Sequence, residues 1–218
     1  MSITRIVSTM TARTATPLYR HRVAARGYDL LNRVLWAPSG SDRLRRELVS
    51  ALDLKPTDRV LEFGCGTGLV TRHLSHISAT TTAIDFVKVM STAAQRRAPS
   101  ATIITGDVLT APVDGPFDRI VLAFILHELN PKQRVDLLQR AAGLLAPDGR
   151  IGILEWALPT GPVARRTWAT VVHIIEPTVA HDILCDGLDS ALNDAELVIK
   201  TDNRRANGRA RIITATPC

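Results

Sequence analysis

The most constraining feature of the chain is a short glycine-rich segment that follows an apolar run. Residues 60–68 read Val-Leu-Glu-Phe-Gly-Cys-Gly-Thr-Gly, so that glycine occupies every second position from Gly64 to Gly68. Glycine has no Cβ, and a strand that turns sharply into a helix while a ligand lies against its backbone needs that freedom. The segment therefore predicts a strand, a tight loop and a helix, with a nucleotide-type ligand held against the loop.

The spacing of these glycines and the residue before them distinguish two kinds of ligand. In the dinucleotide fingerprint Gly-x-Gly-x-x-Gly the third glycine would fall at Leu69, but this chain has Gly68 one position earlier. Glu62 lies before the loop, where its carboxylate repels a pyrophosphate and suits a ligand that ends in an ammonium group. The run Glu-Phe-Gly-Cys-Gly-Thr-Gly resembles motif I of the class I S-adenosylmethionine (SAM) methyltransferases, and SAM carries an ammonium and a sulfonium group.

The succession of predicted elements indicates a doubly wound α/β fold. With 218 residues, 45% of them hydrophobic, the chain is long enough for one such domain. Strands are predicted at 59–63, 80–85, 102–105, 117–124, 150–155, 198–204 and 210–215, and helices at 19–36, 41–54, 69–75, 87–97, 131–145, 162–175 and 189–199. Asn207-Gly208 predicts a hairpin turn between the last two strands. We expect a Rossmann-like, seven-stranded sheet that is mostly parallel, with a C-terminal antiparallel hairpin.

Residues at the ends of the predicted strands are the candidates for binding this cofactor. Asp85 ends the second strand, where a carboxylate can accept hydrogen bonds from both ribose hydroxyls, although a short acid there also suits a helix cap. The resemblance implies that Asp107 accepts from the adenine amino group and that the Val108 backbone reads a ring nitrogen; an Asx-type turn is the alternative. Phe86 and Met90 could enclose the adenine ring, and Met90 equally suits a helix core.

The fourth predicted strand and its continuation resemble the fourth motif of the same family. A Phe-Asp pair begins an apolar strand, and Leu-His-Glu-Leu follows it. The resemblance implies that the backbone of Ala123 and Phe124 holds the methionine part of SAM, and that His127 and Glu128 face the methyl acceptor. Histidine near neutral pH can take a proton from an acceptor hydroxyl, so His127 is the catalytic candidate; a structural role at a helix start is the alternative.

Two further segments extend the resemblance. Residues 145–156 resemble the family's Leu-x-Pro-Gly-Gly-x-Leu turn and strand, with Asp148 in place of the first glycine. Tyr28 begins a Tyr-Asp-x-x-Asn segment similar to that of the ubiquinone and menaquinone methyltransferases and their small phospholipid-methylating relatives. The resemblance implies that Tyr28 folds over the cofactor; an amphipathic helix is the alternative. The implied cofactor-binding residues are together Tyr28, Glu62, Gly64, Cys65, Gly66, Gly68, Asp85, Phe86, Met90, Asp107, Val108, Ala123 and Phe124.

The net charge of +6 comes entirely from the first fifty residues, which hold nine arginines and three acids, whereas residues 51–218 are balanced. We therefore divide the chain into residues 1–54, a basic arm with covering helices, and residues 55–218, a SAM-dependent methyltransferase domain. Residues 1–16 lack the apolar core of a secretory signal, and they suit a solvated tail, a transit peptide, or contact with anionic lipid or nucleic acid. Three scattered cysteines and short apolar runs predict a cytoplasmic protein, free to touch a membrane peripherally, with no metal site or spanning helix.

The resemblance implies a methyltransferase that holds nucleophile, methyl carbon and sulfur in line. The apolar stretch 156–181, which contains Trp156 and Trp168, lies beside a basic arm in this scheme and favours a hydrophobic acceptor, such as a phospholipid head group or a quinone-like ring. Two alternatives stay open. A nucleic-acid methyltransferase fits the basic composition, although the fourth strand lacks the Asp/Asn-Pro-Pro-aromatic end of many such enzymes. A catalytically silent SAM-fold binding module fits the fold alone.

Overall fold

Seven strands of the chain pair into one sheet in the order β3-β2-β1-β4-β5-β7-β6. The computed structural model describes residues 36, 40–175 and 182–218. The strands are β1 (Arg59–Phe63), β2 (Thr80–Asp85), β3 (Thr102–Thr105), β4 (Phe117–Ala123), β5 (Leu145–Trp156), β6 (Leu197–Arg205) and β7 (Ala210–Pro217). Strands β1 to β5 are parallel, and β7 is antiparallel to both β5 and β6. The expected mostly parallel sheet with a C-terminal antiparallel hairpin is confirmed.

Six α-helices within the described residues connect or cover these strands. They are α1 (Ser41–Ala51), α2 (Thr71–Ile77), α3 (Lys88–Arg97), α4 (Pro131–Gly143), α5 (Pro162–Ile175) and α6 (Leu188–Asp194), together with a short 3₁₀ helix (Leu126–Glu128) and a π-helical turn (Ile183–Gly187). The start of α4 follows directly from its sequence. The Asn130 side chain accepts from the Gln133 N–H, the Gln133 side chain accepts from the Asn130 N–H, and Pro131 fills the first helical position.

The sheet is covered on both faces because its strands are apolar on both faces. Successive strand residues point to opposite sides, so neighbours such as Ile120 and Val121 enter different cores. One core packs α4 and α6 against the sheet through Leu61, Ile120, Ile153, Leu137, Leu138, Leu188 and Leu192. The other packs α1, α2 and α5 through Val60, Val121, Leu154, Leu44, Leu48, Leu74, Trp168 and Val172.

The largest boundary error concerns the last predicted helix. The helix predicted at 189–199 ends at Asp194, because Glu196 adopts a left-handed φ of 55° and Leu197 begins the pairing of β6 with β7. Strand pairing outweighs the local helix preference there. The turn segment 147–149 falls within the bounds of β5, where the pairing with β4 passes from Phe117–Leu145 directly to Arg119–Arg150, so that five steps along β5 match two along β4.

The order of the sheet reverses between β1 and β4, which leave the sheet at the same edge. In open parallel sheets the crevice outside the carboxyl ends at such a point is where ligands bind. No helix within the described residues is long and apolar enough to cross a membrane. The predicted helix at 19–36 lies outside those residues except for its last position, Trp36.

Candidate functional site

The glycine loop after β1 holds three left-handed glycines for two different reasons. The φ angles of Gly64, Gly66 and Gly68 are 74°, 52° and 80°, a region that side chains other than glycine rarely adopt. A Cβ on Gly64 would lie 2.8 Å from Ile125 Cδ1, and one on Gly68 would lie 2.8 Å from the Cα of Ala94. A Cβ on Gly66 would meet nothing within 4 Å. The outer glycines therefore let the loop pack on the protein, and the middle one leaves space beside the backbone.

The Asp85 carboxylate at the end of β2 fixes this loop. Its Oδ2 accepts from the Gly66 N–H at 2.7 Å, and its Oδ1 accepts from the Val87 N–H at 2.8 Å, one residue before α3. The helix-start alternative for Asp85 is thus present in the structure. Each carboxylate oxygen has a second lone pair, so these two bonds are compatible with the ribose contact that the sequence predicts, which stays a prediction.

Glu62 lies beneath the loop, and its side chain is only 1% exposed. Its Oε2 accepts a hydrogen bond of 2.6 Å from Thr71 Oγ1 at the start of α2. Burial raises the pKa of Glu62 to about 7; the charge of Asp85 adds to the rise, and the Thr71 bond and the Arg45 charge oppose it. A buried carboxyl with such a pKa gains from the approach of a cation, as the sequence argument for an ammonium group requires.

Cys65 is buried in the same loop. Burial, followed by the charges of Glu62 and Asp85, raises the pKa of its thiol well above the ordinary value. The thiol is therefore a small packing group here, in contact with Ala83 and Ala94 of the core, and only its backbone remains a candidate for ligand contact.

The segment after β3 forms the turn that was the alternative for Asp107. Its Oδ1 accepts from the Leu109 N–H at 2.8 Å, and Val108 is buried, with its carbonyl accepting from Arg140 at 2.6 Å. The predicted adenine partners therefore stand in a rigid turn. Phe86, just after β2, is 42% exposed, whereas Met90 is buried in α3, so Phe86 offers the more accessible face.

On the other side of the switch point, His127 and Glu155 form a buried pair. His127 Nδ1 lies 2.8 Å from Glu155 Oε1, and the two side chains are 4% and 0% exposed. The same carboxylate accepts from the His127 N–H at 3.3 Å and from the Trp156 N–H at 2.9 Å. The Glu155 carboxyl thus faces His127 Nδ1 together with two backbone N–H donors. In the tautomer with its proton on Nδ1, the imidazole donates to Glu155 and the basic lone pair lies on Nε2.

Four aromatic rings beside this pair form an aromatic cluster, defined as Trp36, Phe124, Trp156 and Trp168. The Trp36 ring centroid lies 5.3 Å from those of Phe124 and Trp156 and 5.8 Å from that of Trp168. The Trp156 ring also meets the His127 ring edge-on at 5.9 Å. The cluster thus joins the ends of β4 and β5 to α5 and to Trp36, five positions before the start of α1.

Ala123 and Phe124 stand where β4 leaves the sheet. Ala123 pairs with Leu154, and the Phe124 N–H donates to the Leu154 carbonyl at 2.8 Å. Phe124 has a φ of 54°, an uncommon conformation for a bulky residue that tends to persist where a site needs it.

The structure brings most of the predicted site residues to one edge of the sheet, in two groups. The ends of β1 to β3 bear Glu62, the glycine loop with Cys65, Asp85, Phe86, Asp107 and Val108; the end of β4 bears Ala123, Phe124 and His127. Met90 is set back in α3, and Tyr28 lies outside the described residues. Within those residues no group of three or more His, Cys, Asp or Glu could hold a metal ion.

Sequence reasoning missed two polar residues of the site, Glu155 and Arg45. Glu155 is the one acid at the end of an otherwise apolar strand, the same signal that identified Asp85, but its partner is 28 positions away. Arg45 is buried in α1, 5.8 Å over the Phe124 ring, and donates to the Ser41 carbonyl. Nothing in the local pattern of α1 distinguishes this arginine from its exposed neighbours.

Comparison with known proteins agrees with this architecture. The family described as "Methyltransferase domain" matches residues 60–149. The chain is 37% identical over 150 residues to the demethylmenaquinone methyltransferase of Mycobacterium sp. (strain KMS), covering 67% of this chain and 60% of that protein. It is 34% identical over 137 residues to the enzyme of the same name from Beutenbergia cavernae, covering 62% and 55%. The chain thus spans less than two thirds of the length of these relatives.

Solved structures share the fold at lower sequence identity. A TehB-like SAM-dependent methyltransferase from Corynebacterium glutamicum superposes with a TM-score of 0.66 at 18% identity, over 91% of this chain and all of that one. At that identity the likeness concerns the fold, and the chemistry of the site has to be argued from its own residues.

Proposed function

This chain belongs to the class I S-adenosylmethionine-dependent methyltransferase family, and from that premise we propose that it methylates a small hydrophobic acceptor with a quinone-like, oxygen-bearing ring. SAM is the cofactor, and it supplies a methyl carbon on a positively charged sulfur, which a nucleophile displaces in line. The observation that carries the proposal is the buried His127–Glu155 pair beside the aromatic cluster.

The glycine loop side of the crevice holds the cofactor in this proposal. The open space beside the Gly66 backbone receives SAM, the Asp85 carboxylate accepts hydrogen bonds from its ribose hydroxyls, and the Phe86 ring covers its adenine. Asp107 and the Val108 backbone bind the adenine edge, and Glu62 attracts the ammonium end from beneath the loop. The residues present therefore fit the cofactor of the family, with polar groups for its polar ends and an open backbone between them.

The His127 side of the crevice activates the acceptor. Glu155 holds the proton of the imidazole on Nδ1, so that Nε2 can take a proton from a ring hydroxyl of the acceptor as it attacks. Glu155 is a positioning residue in this scheme, because its contacts are to His127 and to backbone. The surrounding aromatic cluster keeps water away from the developing oxyanion and from the cofactor.

A ring is favoured over a phospholipid head group by the chemistry of the cluster and by the relatives. Three tryptophans and a phenylalanine provide flat apolar surfaces that match an aromatic ring. The two relatives described above carry demethylmenaquinone in their names. Membrane contact through the basic arm, residues 1–54 as divided from the sequence, is a separate proposal that concerns delivery of a lipophilic acceptor.

The experiment that tests the function is methyl transfer from radiolabelled SAM. The acceptors are a short-chain demethylated naphthoquinol, phosphatidylethanolamine vesicles and tRNA, each with wild-type chain and with His127→Ala. Label incorporated into the quinol by the wild type only is the expected result. Incorporation into vesicles or tRNA instead would replace the proposed acceptor, and SAM binding without transfer to any of the three would favour the silent binding module.

A further inference from the structure

Two buried indole N–H groups in the aromatic cluster have no hydrogen-bond partner in the part of the chain that the structure describes. They belong to Trp156, the last residue of β5, and to Trp168 in the middle of α5. Both side chains are more than nine-tenths buried. A buried donor without an acceptor costs free energy, and proteins retain few of them. Two on touching rings point to a ligand that supplies the acceptors.

The rings that carry the two donors lie close to each other and to the proposed base. The Trp156 and Trp168 ring centroids are 5.6 Å apart, and the Trp156 ring contacts His127. Trp156 is also tied to the pair through its backbone N–H, which donates to Glu155. A ligand that meets both indoles therefore lies next to the imidazole.

Two arginines lie over ring faces of the cluster. The Arg209 guanidinium lies 5.0 Å from the Trp168 centroid and 6.0 Å from that of Trp36, and Arg45 covers Phe124 at 5.8 Å. Aromatic cages that bind ammonium or sulfonium groups offer their ring faces to the ligand cation. Here arginines already cover faces of Phe124, Trp36 and Trp168, so the cluster does not offer those faces to a ligand cation, and the indole N–H groups are what it offers to an oxygen.

We propose that the Trp156 and Trp168 indole N–H groups donate hydrogen bonds to the oxygen atoms of the acceptor, and so select a planar ring that carries oxygen substituents. This inference rests on the proposed function, because it assigns the acceptor side of the same site. It excludes two classes that the apolar lining alone would admit. Pure hydrocarbons leave both donors unpaired, and quaternary amines, which need open ring faces, find faces of the cluster covered by the two arginines.

The test uses the three tryptophans of the chain as separate reporters. Full-length protein labelled with nitrogen-15 at the indole gives three N–H signals, which Trp156→Phe and Trp168→Phe assign. The probe is 2-methyl-1,4-naphthoquinone, and naphthalene is the matched control with the same ring system and no oxygen. We expect the quinone to move the Trp156 and Trp168 protons downfield in a saturable way, with no such shift from naphthalene. Each Phe variant weakens quinone binding about 3- to 10-fold.

The outcomes separate this inference from the proposed function. Equal shifts with quinone and naphthalene, a bound quinone that leaves both indole signals in place, or no saturable binding would each overturn the inference. The indole readout needs neither cofactor nor turnover and is taken on the wild type, so a poorly folded variant does not decide it. A chain whose indoles respond to the quinone but which transfers no methyl group would overturn the proposed function alone.

Discussion

At the ends of β1 and β2 the polar groups form hydrogen bonds with residues near them in the sequence. At the ends of β4 and β5 the interacting residues come from parts of the chain that are further apart. Asp85 accepts from backbone two residues away and 19 residues away, in a loop that is continuous with β1. His127 and Glu155 are in contact although they are 28 residues apart in the sequence, and the aromatic cluster contains residues from Trp36 to Trp168. The half of the crevice at β1 and β2, the local half, is formed by short stretches of sequence. The half at β4 and β5, the assembled half, is formed by residues that are far apart in the sequence.

This difference suggests a division of labour between the two halves. A cofactor common to a whole family can be held by a short segment whose backbone geometry fixes the contacts. An acceptor that differs from enzyme to enzyme is held by side chains from separate elements, which can change independently. If the division is right, substitutions in the assembled half alter turnover and acceptor choice, and substitutions in the local half alter cofactor affinity and stability.

The largest effect is expected from the His127–Glu155 pair. His127→Ala and Glu155→Gln should each lower the rate of methyl transfer about 10²- to 10⁴-fold, because a general base contributes that much and works only in the right tautomer. SAM affinity, measured by calorimetry, should stay within about twofold of wild type, because the pair lies on the acceptor side of the crevice. A twofold change corresponds to less than about 0.5 kcal/mol. A variant that loses SAM binding in proportion to turnover would contradict the separation of the two halves.

The second effect distinguishes two glycines of the same loop. Gly68→Ala should lower the free energy of unfolding by about 2–5 kcal/mol, because its Cβ meets the Ala94 backbone and its φ is left-handed. Gly66→Ala should lower it by only about 1–2 kcal/mol, the cost of its φ alone, and yet weaken SAM binding, because the new methyl group fills the open space. Denaturant unfolding and calorimetry on both variants check this contrast. Unchanged SAM affinity in Gly66→Ala would mean that SAM does not occupy the space beside Gly66.

The same contrast explains how much could be read from the sequence. The strand positions, the glycine loop and Asp85 follow from patterns within about 25 residues, and the predicted strands agree with the structure. Sequence reasoning placed Trp156 and Trp168 on an apolar lining, but it could not show that their indole N–H groups have no hydrogen-bond partner among the described residues. It also did not predict the contact of Glu155 with His127 or the burial of Arg45 over Phe124. Contacts between residues far apart in the sequence depend on tertiary packing, which local sequence periodicity does not reveal.

A third effect concerns Glu62 and the stability of the cofactor half. The folded chain binds a proton at Glu62 with a pKa of about 7, against an ordinary value of 4.5. Stability from this proton is complete below about pH 4.5 and is lost as pH rises through about 7, by on the order of 3 kcal/mol. Glu62→Gln keeps an acceptor for Thr71 and cannot titrate, so its unfolding free energy should fall less than that of wild type between pH 5 and 8.

The opposite trend is expected for the cofactor. If the ionised Glu62 attracts the ammonium group, wild-type SAM affinity rises as pH increases through about 7, and Glu62→Gln lacks this rise. Asp42, Glu47 and Asp182 have pKa values lowered by hydrogen bonds and charges of neighbouring arginine and histidine side chains, and they titrate at more acidic pH. These three carboxylates therefore do not contribute to a change in affinity near pH 7. Parallel pH profiles for wild type and Glu62→Gln would mean that Glu62 neither titrates in this range nor senses the cofactor.

The smallest effect is expected at Asp85, where two roles have to be separated. Asp85→Ala should weaken SAM binding by about 1.5–3 kcal/mol, as expected for lost charge-assisted hydrogen bonds. Part of this loss arises from the Gly66 and Val87 N–H groups that the carboxylate now holds. Comparing adenosine with 2′,3′-dideoxyadenosine on both proteins isolates the ribose part as a coupling free energy. The substitution should cost adenosine more than the dideoxy compound, because only adenosine offers the hydroxyls. An equal loss for both would leave Asp85 as an anchor of the loop, and the cofactor half would then bind by backbone shape without a dedicated ribose acceptor.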